Sequence, residues 1–216
     1  FTGDNDIVMD FFSGSATTAH ATMQANAEDG AARRFIMVQV PERIAENSEA
    51  YRRGYRDICQ IGKDRIRRAG EKIDAETNAD IDYGFRVLKV DESNMNDVYY
   101  AAGDYTQDLL SMLESNIKSD RTDLDLLFGC LLEWGLPLSL PYTSEKMEGC
   151  TVHTYNHGDL IACFDEDIPD LVIRTVAKRQ PRRVVFRDAG FKGDPSKINV
   201  GEVFKMLAPD TLVKVI

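Results

Sequence analysis

The chain has 216 residues, with 26 Lys+Arg against 36 Asp+Glu, a formal charge of −10, and 43% hydrophobic residues. That length holds one large domain or two small ones with a real core. No apolar run approaches the roughly 20 residues a membrane-spanning helix needs, which excludes a helical membrane protein. Cys59, Cys130, Cys150 and Cys163 are scattered and form no Cys-x-x-Cys pair. That excludes a disulfide-dense secreted fold and a zinc ribbon, and a reduced, cytoplasmic setting is expected. The chain opens at Phe1, without a Met or a signal peptide and directly ahead of a strand-like run. A piece of a longer protein is therefore expected. Charge is uneven: Arg33 to Lys72 holds eleven Lys/Arg and six Asp/Glu. Such a window suits either a phosphate backbone or a solvated helix face.

In chain order, Ile7 to Phe12 is a short apolar run, followed by the small residues Ser13-Gly14-Ser15-Ala16 and then Thr17-Thr18. Ala19, Met23 and Ala27 recur at a spacing of four, and Gly30 offers a stop. This predicts strand, tight turn, helix and C-cap. Phe35 to Val40 is a second apolar run, the pattern of a strand buried on both faces. A helical stretch over roughly Glu49 to Ile73 carries Ile58, Ile61, Ile66, Ala69 and Ile73 near one stripe. Phe85 to Val90 predicts a third strand. Alternating strands and helices imply parallel order with right-handed crossovers. Residues 1–104 therefore read as a Rossmann-like half, and the pattern loosens from Met95 to Tyr105.

Residues 105–216 read as a small α/β module. Helices are predicted at Thr106–Ile117 and Asp123–Trp134, the second with Thr122 as N-cap and Gly135-Leu136-Pro137 as its end. Leu124, Leu127, Phe128 and Leu131 share one face of it, while Leu126, Leu132 and Trp134 widen the apolar cover. A helix apolar nearly all round needs a second contact. That contact is with the missing N-terminal half, the neighbouring module or a second subunit, and a subunit interface through Leu127 and Phe128 is the favoured expectation. Thr151–Tyr155 and Leu160–Phe164 predict a hairpin joined by Asn156-His157-Gly158-Asp159. A helix at Ile168–Lys178, a strand at Arg183–Phe186, a helix near Val200–Leu207 and a strand at Leu212–Val215 complete the module.

The residues that carry chemistry cluster after the first strand. Small residues at 13 to 16 let a ligand approach the backbone, and the following helix N-terminus offers unpaired N–H groups. Asp10, at the carboxyl end of the strand, can accept from an ammonium or hydroxyl group. Ligands of open α/β sheets bind at that end. A tight strand-to-helix turn would favour the same small residues. The chain has neither the Gly-x-Gly-x-x-Gly of dinucleotide sites nor the Gly-Lys-Ser/Thr of phosphate loops.

The run Asp10-x-Phe12-x-Gly14-Ser15-Ala16-Thr17-Thr18 resembles the S-adenosyl-L-methionine (AdoMet) motif of amino-methylating DNA methyltransferases, usually Asp-x-Phe-x-Gly-Ser-Gly-Thr-Thr. Three further stretches narrow the resemblance: Phe11 to Glu42, including Phe35-Ile36-Met37-Val38-Gln39-Val40-Pro41-Glu42; Leu131 to Leu138; and Val184 through Lys197-Ile198-Asn199 to Ile216. These resemble the modification subunit of Type III restriction–modification systems over essentially the whole chain. The resemblance implies the C-terminal half of an AdoMet-dependent adenine methyltransferase acting on double-stranded DNA, dimeric and associated with a restriction subunit. It implies that Asp10, Phe11, Phe12, Ser13, Gly14, Ser15, Ala16, Thr17 and Thr18 hold the cofactor. Ala16 departs from the usual Gly, staying small but reaching positive φ less readily. The acceptor for the ribose hydroxyls would fall to Gln39 or Glu42. The family's catalytic Asp-Pro-Pro-Tyr, placed upstream of the AdoMet motif, is absent, so catalytic and target-recognition parts are expected outside this chain. Ser139-Leu140-Pro141-Tyr142 reads as a loop.

Other features carry less. His153 and His157 straddle a hairpin rather than one helical face, and Asp165-Glu166-Asp167 with Asp170 lacks the spacing and Gly of a calcium loop. No metal site is expected. His20 reads as packed or exposed, and Lys178-Arg179 with Arg182-Arg183 as a turn surface or a phosphate contact. Two functions stay open: the cofactor half of a methyltransferase, inactive alone, or an assembly and dimerisation module.

Overall fold

A computed structural model describes residues 2–96, 117–191 and 194–216, the last without the side chains of 194–198. Its contacts divide into two units, Phe1–Val87 and Leu88–Ile216. The boundary expected at 104/105 and the helix expected at Thr106–Ile117 fall mainly on residues outside that description.

In the first unit, β1 (Ile7–Asp10) pairs in parallel with β2 (Arg34–Met37), with Ile7 opposite Arg34 and Asp10 opposite Met37. Between them runs α1 (Thr17–Asp29), which ends at Gly30 in the left-handed conformation (φ 71°), its N–H returned to the Asn26 carbonyl. The Asn26 side chain then holds the turn into β2, donating to the Arg33 carbonyl at 2.9 Å and accepting its N–H at 3.2 Å. The long helix expected over Glu49–Ile73 is two helices: α2 (Glu49–Arg52) and α3 (Ile58–Thr77). Gly54 (φ 97°) breaks the run, and the Asp57 carboxylate restarts it by accepting the Gln60 N–H at 2.8 Å. A side-chain acceptor for an orphan N–H is what nucleates a helix at that place. Ala16, Ala19 and Met23 pack against Ile66, Ala69 and Ile73 of α3, each large member contributing about 1.5–3 kcal/mol on burial.

The third strand expected at Phe85–Val90 does not form: no ladder includes those residues. Phe85 lies under the Arg67 guanidinium at 5.4 Å and packs on the α3 core, while Leu88 and Val90 face solvent. Apolar alternation makes a strand only when a partner edge is in reach.

In the second unit, a five-stranded sheet has the order β3-β4-β5-β6-β7. The strands are β3 (Tyr142–Met147), β4 (Cys150–Tyr155), β5 (Leu160–Cys163), β6 (Arg183–Phe186) and β7 (Leu212–Val215). β3-β4-β5 are antiparallel and β5-β6-β7 parallel. β3 was not expected from the sequence. It turns into β4 through Glu148 and Gly149, both at positive φ (49° and 89°), the pattern of a tight hairpin turn. Val152, Ile161, Cys163, Val184 and Phe186 face α5 (Asp170–Lys178) and α6 (Asp194–Leu207) through Val172, Val176 and Phe204. The opposite sheet face, with Tyr155, Leu160, Ala162 and Val185, takes α4 (Asp123–Glu133) through Leu126, Leu127, Cys130 and Leu131. That corrects the expected use of Leu127 in a subunit interface. Leu127 is 0% exposed inside its own unit, and Phe128 meets Tyr142 edge-on at 6.0 Å. Among the described residues no helix is long and apolar enough to cross a membrane.

Candidate functional site

The loop after β1 is a short arc closed by side chains. Asp10 terminates the strand with both carboxylate oxygens engaged: one accepts the Phe12 N–H at 3.1 Å, the other the Thr18 hydroxyl at 2.6 Å. The Ser13 N–H reaches back to the Val38 carbonyl beyond β2 at 3.2 Å, and the Ala16 N–H closes a turn on the Ser13 carbonyl at 2.7 Å. Gly14 (φ 50°) and Ala16 (φ 59°) both sit in the left-handed region. Gly14 takes it freely; Ala16 takes it against a Cβ penalty of roughly 1–2 kcal/mol. Burial of the Ala16 methyl offsets part of that penalty, since the residue is 2% exposed within the α1–α3 core. Beyond Ala16, α1 begins with no side-chain cap, leaving its first N–H groups turned to the loop.

Of the residues singled out in the sequence, Asp10, Phe12, Ser13, Gly14, Ala16, Thr18 and Gln39 are brought together by these bonds. Gln39 accepts the Gly14 N–H on Oε1 at 2.7 Å. Phe11 and Phe12 project into solvent, Phe12 at 89% exposure. Ser15 is half-buried, and Thr17 is bonded from α3. Glu42 lies apart: its side chain is exposed and its carbonyl accepts the Ile58 N–H at the start of α3. Two contributors on α3 were not anticipated. Arg65 donates to the Thr17 hydroxyl at 2.7 Å. At Gly62 a Cβ would stand 3.4 Å from the Gly14 carbonyl oxygen and 3.5 Å from the Ala16 methyl. A glycine on the apolar stripe of α3 was the available signal; the arginine gave none.

The other candidates are drawn into structural work. His153 is buried between the Ser144 hydroxyl (2.8 Å from Nδ1) and the Asp123 carboxylate (3.4 Å from Nε2), while His157 is exposed in the following turn. His20 is half-buried on α1. Arg179 pairs with Glu145, Arg182 with Asp159, and Arg183 lies over the Trp134 ring. Asp165 accepts the Thr151 N–H at 2.5 Å, and its carboxylate and the Cys150 and Cys163 sulfurs lie within 4.8 Å of one another. Burial pushes the Cys163 thiol up to about 12 and raises Cys150 as well, so both sulfurs sit in the core as neutral thiols.

Strand end, glycine arc and uncapped helix together form the kind of loop that holds a small ligand against backbone N–H groups. No protein-family model matches the chain. Parts of it are similar to curated proteins. The Mod subunit of the Type III restriction–modification enzyme StyLTI from Salmonella typhimurium is 42% identical over 80 residues, 36% of this chain and 12% of that protein. The EcoPI Mod subunit of Escherichia phage P1 is 38% identical over 87 residues, 40% of this chain and 14% of its own. The Type II methyltransferase M.KpnI of Klebsiella pneumoniae is 38% identical over 60 residues, 28% of this chain and 14% of its own. The chain thus resembles Mod subunits of Type III restriction–modification enzymes, and the match spans only 12 to 14% of those relatives' length.

Proposed function

We propose that this chain carries the cofactor loop of a DNA methyltransferase in a Type III restriction–modification system, moving a methyl group from AdoMet to the N6 amine of adenine. The observation that carries the reading is the arc from Asp10 to Thr18, with the motif residues gathered at a strand end and two of them in the left-handed conformation. The resemblance to Mod subunits and to a Type II methyltransferase supports it. A cofactor fits here on the structure's own terms. At Gly14 a Cβ would meet only the Phe12 carbonyl oxygen, at 4.0 Å, so the backbone there lies open to an approaching ligand.

On this reading Asp10 and residues 11–18 hold the cofactor; Gln39, two residues past β2, reaches the same arc through Gly14, while Glu42 lies apart from it. When bound, AdoMet supplies a methyl group activated by its sulfonium. Asp10 fixes the arc, the α1 N–H groups offer donors for a carboxylate, and the exposed Phe12 offers an apolar surface beside the site. Positioning of this kind supplies much of the rate in a two-substrate reaction. No Asp-Pro-Pro-Tyr occurs in the 216 residues, so the groups that grip a flipped base belong to other parts of the protein. The parallel β1-α1-β2 unit then belongs to a Rossmann-like sheet, and the second unit serves assembly, including dimerisation and docking of a restriction subunit.

Calorimetric titration with AdoMet tests the loop assignment in the protein that carries this chain. Gly14→Val should abolish binding, because a branched residue takes positive φ poorly and fills the space beside the backbone. Equal affinity in the variant removes the loop from the site.

A further inference from the structure

Gln39 stands two residues beyond β2 with its side-chain oxygen committed inward. Its Oε1 accepts the Gly14 N–H at 2.7 Å, in the middle of the arc that Asp10 holds at its start and end. Gln39 is itself anchored: the Cys59 thiol donates to its carbonyl at 3.5 Å, and the neighbouring Val38 carbonyl takes the Ser13 N–H. Gly14 is the flexible point of the arc, a glycine at φ 50° whose left-handed conformation nothing in its own side chain enforces. Its N–H also points toward the amide oxygen rather than toward solvent.

We propose that Gln39 is a positioning residue: it fixes the Gly14 conformation that the cofactor meets, and does not contact the cofactor's ribose. This rests on the cofactor reading of the loop. An amide suits the task, since a neutral acceptor oxygen satisfies one backbone donor without placing a charge beside the site. The ribose hydroxyls are then left to another group, and Glu42, exposed just beyond, has a carboxylate placed toward solvent.

Two measurements separate the clamp from a direct contact. The first is amide hydrogen exchange at Gly14 in the chain without ligand, with the Ile66 and Ile73 amides of α3 as the control for folding. Gln39→Leu, close in volume and without an acceptor, should speed Gly14 exchange roughly tenfold, the scale of one lost hydrogen bond. Gln39→Glu keeps the acceptor oxygen and should stay within about threefold of the parent. Unchanged exchange in Gln39→Leu overturns the clamp. The second measurement titrates S-adenosylhomocysteine and its 2′-deoxyribose analogue against the protein carrying this chain. A positioning residue gives Gln39→Leu the same loss, roughly tenfold, for both ligands. A loss confined to the parent ligand means that Gln39 contacts the hydroxyl, and overturns the proposal. Binding of neither ligand to the unaltered protein refutes the cofactor reading and the role built on it, while the exchange result still decides whether Gln39 holds the arc.

Discussion

Gly62 gives the sharpest test of the loop's packing, because two substitutions there should act in opposite directions. α3 passes the arc so closely that a Cβ on Gly62 would lie 3.4 Å from the Gly14 carbonyl oxygen, 3.5 Å from the Ala16 methyl and 3.9 Å from the Ala16 nitrogen. Those are contact distances, so Gly62→Ala fits without moving the arc. It also removes a helix-interior glycine, a gain of roughly 0.8–1 kcal/mol. For a unit of this size that is about 4–8 °C in Tm. Gly62→Leu gains the same helix propensity, but its outer carbons must enter space that the Gly14–Ala16 backbone occupies. Overpacking of this kind costs about 1–3 kcal/mol. The net effect is a loss of up to about 2 kcal/mol, together with displacement of Gly14 from the Gln39 oxygen. Urea unfolding, together with Gly14 amide exchange, reads both effects. A Leu variant as stable as the Ala variant, with Gly14 still protected, would refute the close approach of α3 to the arc.

In the second unit, the Asp125 carboxylate accepts the Thr122 N–H at 2.8 Å and its hydroxyl at 2.7 Å, while the Thr122 hydroxyl caps the Asp125 N–H. Thr122→Ala should cost about 1 kcal/mol in urea unfolding. The Thr122 bonds hold the Asp125 carboxyl below the usual carboxylate range. A depressed carboxyl stabilises above its unfolded pKa, about 3.9, and loses that contribution as pH falls through its folded value. The stability gap between the parent and Asp125→Asn should therefore be full at pH 7 and shrink as pH falls below about 4; a gap that widens with acid contradicts it. Leu127→Glu places a charge in the sheet-facing core and should unfold the second unit by circular dichroism, since an unpaired buried charge costs several kcal/mol. Leu132→Glu, at a position 65% exposed, should stay within about 0.5 kcal/mol of the parent; equal effects would put the α4 packing in error.

Local patterns carried the reading where structure is local. The apolar run, small-residue turn and spaced alanines before Gly30 specify β1, the arc and α1, and Thr122 specifies the start of α4. β3 escaped because it is an edge strand. Thr143, Ser144, Glu145 and Lys146 face solvent and show no alternation, and only Tyr142 and Met147 are half-buried. Phe85–Val90 misled in the opposite sense, having the alternation of a strand but no edge to join. The break between α2 and α3 was visible in Gly54 and Asp57, yet the apolar stripe runs on across it. At the site, the motif residues were legible. The roles of Gln39 and Arg65 were not, since their partners Gly14 and Thr17 lie far away in sequence and no spacing rule links them.

Methyl transfer to adenine is read by following the methyl group itself. The protein carrying this chain is incubated with tritiated AdoMet and double-stranded DNA, and the DNA is digested to nucleosides for chromatography and mass spectrometry. Label should appear in N6-methyladenine and be lost in the Gly14→Val variant. Label in a methylated cytosine, or transfer that survives the loss of Gly14, would contradict it.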